Sequence, residues 1–260
     1  MRYLVTLSYD GSAYNGWQFQ NNAASIQESL QSALSTVLKH PVAVTGAGRT
    51  DSKVNAIGYT AHFDWNGLQV IDTAQLVCKL NAILPGNIIV HGIYPEKENF
   101  HARFDAVLRE YTYFIHRKKD PFMEKYSFLC TYRLDVEAMN KAAALLLGTH
   151  DFSSFEKTGS NNKTSICTVK EAAWSAYTPV HAELMGYPAA EGDYLYFRIS
   201  ADRFLRNMVR AVVGSLIDVG RGRHEPEWIE WLIGHGTRSD AGESVPGNAL
   251  FLSRVIYPQE

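Results

Sequence analysis

Residues 2–8 set apolar Tyr3, Leu4, Val5 and Leu7 among polar Arg2, Thr6 and Ser8. The Tyr, Leu, Val and Thr content of that stretch adds to the case for a strand. At residue 26 a helical spacing begins. Ile26, Leu30, Leu34, Val37 and Leu38 fall on one side of a helix. Ser25 and Glu28 form a capping box at its start, and Pro41 stops it. Residues 42–45 and 59–63 read as strands. A second helix opens at Asp72, with Leu76, Leu80, Ile83 and Leu84 on its buried side, and a strand over 88–94 follows Pro85. The rhythm then repeats. A strand with alternating aromatics covers 110–116, and a helix capped by Asp135 runs over 135–147 with Gly148 just past its end. Strands over 167–177 and 194–200 lead to an amphipathic helix over 203–219. A short helix (228–233) and a last strand (250–257) complete the chain, and residues 157–165 read as a mobile loop. The fold class is therefore α+β, in two halves, each a mostly antiparallel sheet covered by helices on one face. The boundary falls near 95–108, which gives residues 1–104 and residues 105–260.

Composition removes most other classes. Apolar residues make up 46% of the 260 and charged residues 20%, a mix foreign to disorder, collagen and coiled coil. No run approaches the ~18 apolar residues of a membrane span, and residues 1–9 lack the features of a signal peptide. Three scattered cysteines make neither a disulfide framework nor a zinc pattern. A soluble, cytoplasmic protein with no membrane partner is expected. The net charge of −2 is not the footprint of a nucleic-acid binder. Yet between Arg198 and Arg223 six arginines face only two aspartates, which points to a localised anionic partner.

Three places could carry chemistry. In Gly46-Ala47-Gly48-Arg49-Thr50-Asp51 a strand runs into small residues and then three polar ones. The glycines allow backbone angles and close approaches that side chains forbid. An Asp51 carboxylate between Arg49 and Lys53 is expected to stay ionised and can serve as base or nucleophile. An ordinary turn with an Asp–Arg pair would look the same from spacing alone. Second, Arg203, Arg206 and Arg210 lie at i, i+3 and i+7 of the expected helix, and arginine forks suit phosphates and carboxylates. Third, Arg109, Tyr111 and Tyr113 share one face of a strand, where a ring could stack on a base. Tyr113 reads more readily as a packing residue. Phosphate-loop, dinucleotide, zinc-protease and serine-hydrolase patterns are all missing from the sequence.

Taken together, these residues resemble the tRNA pseudouridine synthase A family. The matching motifs are Tyr9-Asp10-Gly11, Gly16-Trp17-Gln18, Gly46 to Asp51, Leu80-Asn81 with Leu84-Pro85, Phe100-His101-Ala102-Arg103-Phe104, Arg109-Glu110-Tyr111, Gly148-Thr149-His150-Asp151-Phe152, and Phe204 to Arg210 with Gly214. The resemblance implies two ferredoxin-like halves about a pseudo-twofold cleft, a homodimer, and no metal or organic cofactor. The implied activity is isomerisation of uridine to pseudouridine in the anticodon stem-loop of tRNA, around positions 38, 39 and 40. Asp51 matches the catalytic aspartate and Arg49 the arginine that helps displace the base. Tyr111 matches the tyrosine that stacks on uracil, and Arg210 the basic residue paired with the aspartate. Asp51 then either attacks C1′ or abstracts a ribose proton. The alternative, a non-catalytic tRNA-binding paralogue, has no need of Asp51, Tyr111 and Arg210 together. A glycosidase lacks a second acid among these residues.

The chain departs from the family in the loop itself. The usual Thr-Asp-Ala-Gly-Val-His-Ala is replaced after Asp51 by Ser52, Lys53, Val54 and Asn55. If the glycine position needs φ > 0, Lys53 either avoids that conformation or bears strain offset by a contact of its ammonium with phosphate. Asn55 is expected to take over the histidine's hydrogen bonding. The family's usual arginine near the 157–165 loop is replaced by Cys167, and Ser244-Val245-Pro246-Gly247 is a loose version of its Ala-Pro segment.

Overall fold

Strand β1 (Arg2–Tyr9) alternates in burial without a break, so Tyr3, Val5, Leu7 and Tyr9 enter the core. Helix α1 (Ile26–Leu38) turns Ile26, Leu30, Ala33 and Leu34 inward. Its first turn is closed by Ser25, whose hydroxyl accepts the Glu28 N–H at 3.2 Å. After β2 (Val44–Gly46) and β3 (Asn55–Asp64), helix α2 (Thr73–Ile83) starts on the Asp72 carboxylate, which accepts the Gln75 N–H at 2.9 Å. Leu76, Leu80 and Leu84 are buried as expected, but Ile83 is exposed, because the helix ends there and the chain turns before Leu84. Strand β4 (Ile88–Glu96) completes the series.

The computed structural model describes residues 1–67, 70–160 and 162–258. They fall into two compact units, Met1–Leu108 with Phe251–Glu260, and Arg109–Leu250. In the first unit the strand order is β4-β1-β3-β2 and each neighbouring pair is antiparallel. With α1 and α2 this is the β-α-β-β-α-β arrangement of ferredoxin-like folds. Arg2 ties its edge: Nε and Nη2 each reach Asp64 at 2.8 Å, and Nη1 donates to the Phe100 carbonyl.

The second unit begins with β5 (Leu108–His116) and β6 (Phe128–Leu129), followed by α3 (Val136–Ala144). Next come β7 (Gly148–Asp151), β8 (Ile166–Ala176), α4 (Val180–Met185) and β9 (Tyr194–Ala201). Its sheet runs β6-β5-β9-β8-β7, a different order from the first unit. Between β7 and β8, residues 157–160 and 162–165 hold no helix or strand, and Asn161 lies outside the described residues.

The arginine-rich helix expected over 203–219 is corrected. Helix α5 spans Met208–Gly220, preceded by Asn207 in the left-handed conformation at φ 66°. Asp202 accepts the Arg203 N–H at 2.7 Å, so Arg203 and Arg206 lie in a turn ahead of the helix. Of its 13 residues all are buried except Arg210 and Asp218, which lie on one side. α6 (Trp228–His235) follows, and the chain rejoins the first unit in β10 (Leu250–Ile256), which pairs with β3 in parallel. Among the described residues no helix is long and apolar enough to cross a membrane, and no cluster of His, Cys, Asp or Glu could hold a metal ion.

Candidate active site

The loop between β2 and β3 carries Arg49, Asp51 and Lys53, and it is held from both ends and from behind. At its entry the Ala47 N–H donates to the Thr60 carbonyl at 2.8 Å. The Tyr59 hydroxyl donates to the Gly48 carbonyl. Trp17 stacks on Tyr59 with ring centroids 4.1 Å apart, directly against Gly46. A Cβ on Gly46 would meet the Tyr59 hydroxyl at 2.2 Å, so this position must be glycine. Gly48 is different: a Cβ there would meet nothing within 4 Å, which removes the close-approach argument for it.

In the middle of the loop, buried Thr50 shares a 2.9 Å hydrogen bond with the Tyr9 hydroxyl, and its carbonyl accepts the Trp17 N–H at 3.2 Å. Gly16 passes so close that a Cβ would stand 2.2 Å from the Thr50 oxygen, and its φ is +96°. At the exit, buried Asn55 accepts the Gly11 N–H at 2.9 Å. The Tyr9-Asp10-Gly11 and Gly16-Trp17 motifs are thus the frame of the loop. The sequence offered them only as family matches, with no sign of the long-range contacts that give them a purpose.

Against that frame, Asp51 is half-buried while Arg49, Ser52 and Lys53 are exposed. The Val54 N–H bonds the Asp51 carbonyl at 3.2 Å and the Lys53 N–H bonds the Tyr14 carbonyl at 3.1 Å. This turn holds Lys53 at φ 65°. Lys53 keeps the left-handed conformation that a glycine would adopt freely. Asn55 does make a hydrogen bond, inward to Gly11.

In the second unit, Tyr111 is half-buried on β5 with its ring edge-on to Phe204 at 5.1 Å. Tyr113 is fully buried and donates its hydroxyl to the Pro246 carbonyl at 3.0 Å, and burial raises its pKa well above the ordinary phenol range. It is the packing residue. Arg109 Nη1 donates to the Asp202 carbonyl at 2.7 Å. Arg210 is half-buried in the first turn of α5, its Nε donating to the Val245 carbonyl at 2.7 Å. Arg206 is exposed ahead of the helix. Cys167 is buried, which pushes its thiol up to about 12, and since a thiol is neutral or anionic it cannot stand in for an arginine's charge. Ser244 and the Val245 and Pro246 carbonyls were missed as supports, since their partners Asn207, Arg210 and Tyr113 lie 35 residues or more away in sequence.

Each unit therefore offers a set of groups on a rigid base: Asp51, Arg49 and Lys53 in the first, and Tyr111, Arg206 and Arg210 in the second. Comparison with known proteins narrows what such groups do. The family model for tRNA pseudouridine synthase matches residues 142–258. The chain is 44% identical to tRNA pseudouridine synthase A of Parabacteroides distasonis, over 100% of this chain and 97% of that protein. It is 44% identical to the enzyme of that name from Porphyromonas gingivalis, over 100% and 98% of the two chains. With the Bacillus licheniformis enzyme of that name the identity is 40%, over 99% of each.

Proposed function

Because the chain belongs to the tRNA pseudouridine synthase A family, we propose that Asp51 is the carboxylate that acts on the ribose of a flipped-out uridine in the anticodon stem-loop. Family membership makes the chain an isomerase that forms pseudouridine in tRNA. The uridines at positions 38, 39 and 40 are the targets in this reading. The N1–C1′ bond breaks, the uracil turns, and C5 bonds to C1′; C5 loses a proton and N1 gains one, so composition is unchanged. A base has to leave the stack for this chemistry, at a cost of a few kcal/mol.

The observation that carries the reading is the frame of the Asp51 loop. Bonds from Tyr9, Trp17 and Thr60 hold the residues beside a half-buried carboxylate, and catalysis by positioning needs that rigidity. Either attack on C1′ or removal of a ribose proton uses the ionised form. Arg49 helps displace the target base and Tyr111 stacks on the uracil. Arg206, Arg210 and Lys53 contact the RNA. The first unit thus carries the aspartate, and the second the stacking ring and the arginines. The protein works in the cytoplasm as a homodimer: one chain offers only a local excess of six arginines over two aspartates between Arg198 and Arg223, a small footprint for a folded tRNA, and two chains offer two such patches.

Pseudouridine mapping of tRNA from cells lacking the protein tests this. Positions 38–40 should read as uridine, and restoring the gene should return pseudouridine there. An unchanged map would overturn the assignment of these targets.

A further inference from the structure

We propose that Ser244 is a positioning residue for Arg210, the centre of a clasp that sets where the guanidinium points. The inference rests on the reading of Arg210 as a substrate contact. Residues 244–246 are gripped one after another by different elements of the second unit. The Ser244 hydroxyl accepts from Asn207 Nδ2 at 2.6 Å and from Arg238 Nη2 at 2.8 Å. The Val245 carbonyl accepts from Arg210 Nε at 2.7 Å, and the Val245 N–H donates to the Arg210 carbonyl at 3.2 Å. The Pro246 carbonyl accepts from Tyr113 at 3.0 Å.

Asn207 and Arg210 lie one helical turn apart, at the start of α5, and hold adjacent residues of the strap. The strap has no slack. A Cβ on Gly214 would lie 1.8 Å from the Glu243 oxygen, and the Gly242 N–H is bound by Ser215 at 2.9 Å. Holding Nε fixes the plane of the guanidinium and with it the direction of both Nη groups. Whatever moves Val245 therefore turns the fork of Arg210. The Ser244 oxygen anchors the strap next to Val245, because it draws Asn207, at the start of α5, and the desolvated Arg238 onto one atom.

A misplacement of the order of 1 Å can cost about a hundredfold in rate, so a partial release of the clasp should cost about tenfold. Single-turnover rate, tRNA Kd and melting temperature are measured for Ser244→Ala, Ser244→Thr, Arg210→Ala and Ser244→Ala/Arg210→Ala. Ser244→Ala should lose about tenfold in rate with Kd within about twofold, and Ser244→Thr should restore the rate. On the Arg210→Ala background Ser244→Ala should lose nothing further, since residues acting as one unit are not additive. A parental rate in Ser244→Ala beside a crippled Arg210→Ala overturns the positioning role alone, as does a full additive loss in the double variant. A parental rate in Arg210→Ala overturns the substrate role of Arg210 and this proposal with it. Should Ser244→Ala fail to fold, Arg238→Gln removes one donor of the pair and carries the same comparison.

Discussion

Replacing Lys53 by glycine should stabilise the protein and weaken its hold on tRNA, two effects of opposite sign from one side chain. Lys53 sits at φ 65°, fixed there by the bonds of its own N–H to Tyr14 and of Val54 to Asp51. A side chain in the left-handed region costs roughly 1–2 kcal/mol. Glycine removes that strain but gives back about 0.5–1 kcal/mol through the greater freedom of the unfolded chain. The net gain is up to about 1.5 kcal/mol, or a rise in melting temperature of up to roughly 6 °C for a chain of this size. Binding moves the other way. Each phosphate contact contributes about 0.7–0.9 to the slope of log affinity against log salt, so losing one should flatten the slope by that amount. Thermal unfolding and filter binding across a salt series read the two effects separately. A lower melting temperature would refute the strain argument, and an unchanged salt slope would mean that Lys53 does not meet the RNA.

Gly16→Ala should damage the active loop more than an ordinary surface change, because the new methyl would lie 2.2 Å from the Thr50 carbonyl at a φ of +96°. A stability loss of roughly 2 kcal/mol or more is expected, with a single-turnover rate reduced further at temperatures where the protein stays folded; a parental rate would contradict the role given to this contact. His62 predicts a pH effect. Desolvation first, then the charge of Arg2, lowers its pKa from 6.5 to about 4, and its neutral Nδ1 accepts the Ala102 N–H at 3.1 Å. Because the unfolded chain binds the proton more readily, this stabilisation is complete above pH 6.5 and is lost as pH falls toward 4, by up to about 3 kcal/mol. His62→Gln should flatten the fall of melting temperature over that window, and an equally steep fall in both proteins would exclude His62 as its source.

Local signals carried much of the fold. Ser25 and Asp72 cap the helices that their positions announce, and the strand-forming residues of 2–8 become β1. The Asp51 loop was visible because charged residues crowd behind small ones. The start of α5 was not. Arginines at i, i+3 and i+7 imitate a helical face, but Asp202 bonds the Arg203 backbone and Asn207 turns left-handed, so the helix begins five residues later than the pattern suggests. α4 was invisible because its six residues are too few to show a helical period. The supports of the site were hidden for a different reason. Tyr9 meets Thr50 across 41 residues and Asn207 meets Ser244 across 37, and no local pattern encodes such pairs.

The central claim is that the Asp51 carboxylate does the chemistry while other groups hold the RNA. Tritium release from tRNA labelled at uridine C5 tests it, because the label leaves only when the C5 proton is lost. Asp51→Asn keeps the shape of the side chain and removes its charge. It should abolish tritium release and leave tRNA affinity within about threefold, ~0.7 kcal/mol, since phosphate contacts dominate binding. Release within about tenfold of the parent, on a barrier scale where tenfold is ~1.4 kcal/mol, would remove Asp51 from the reaction.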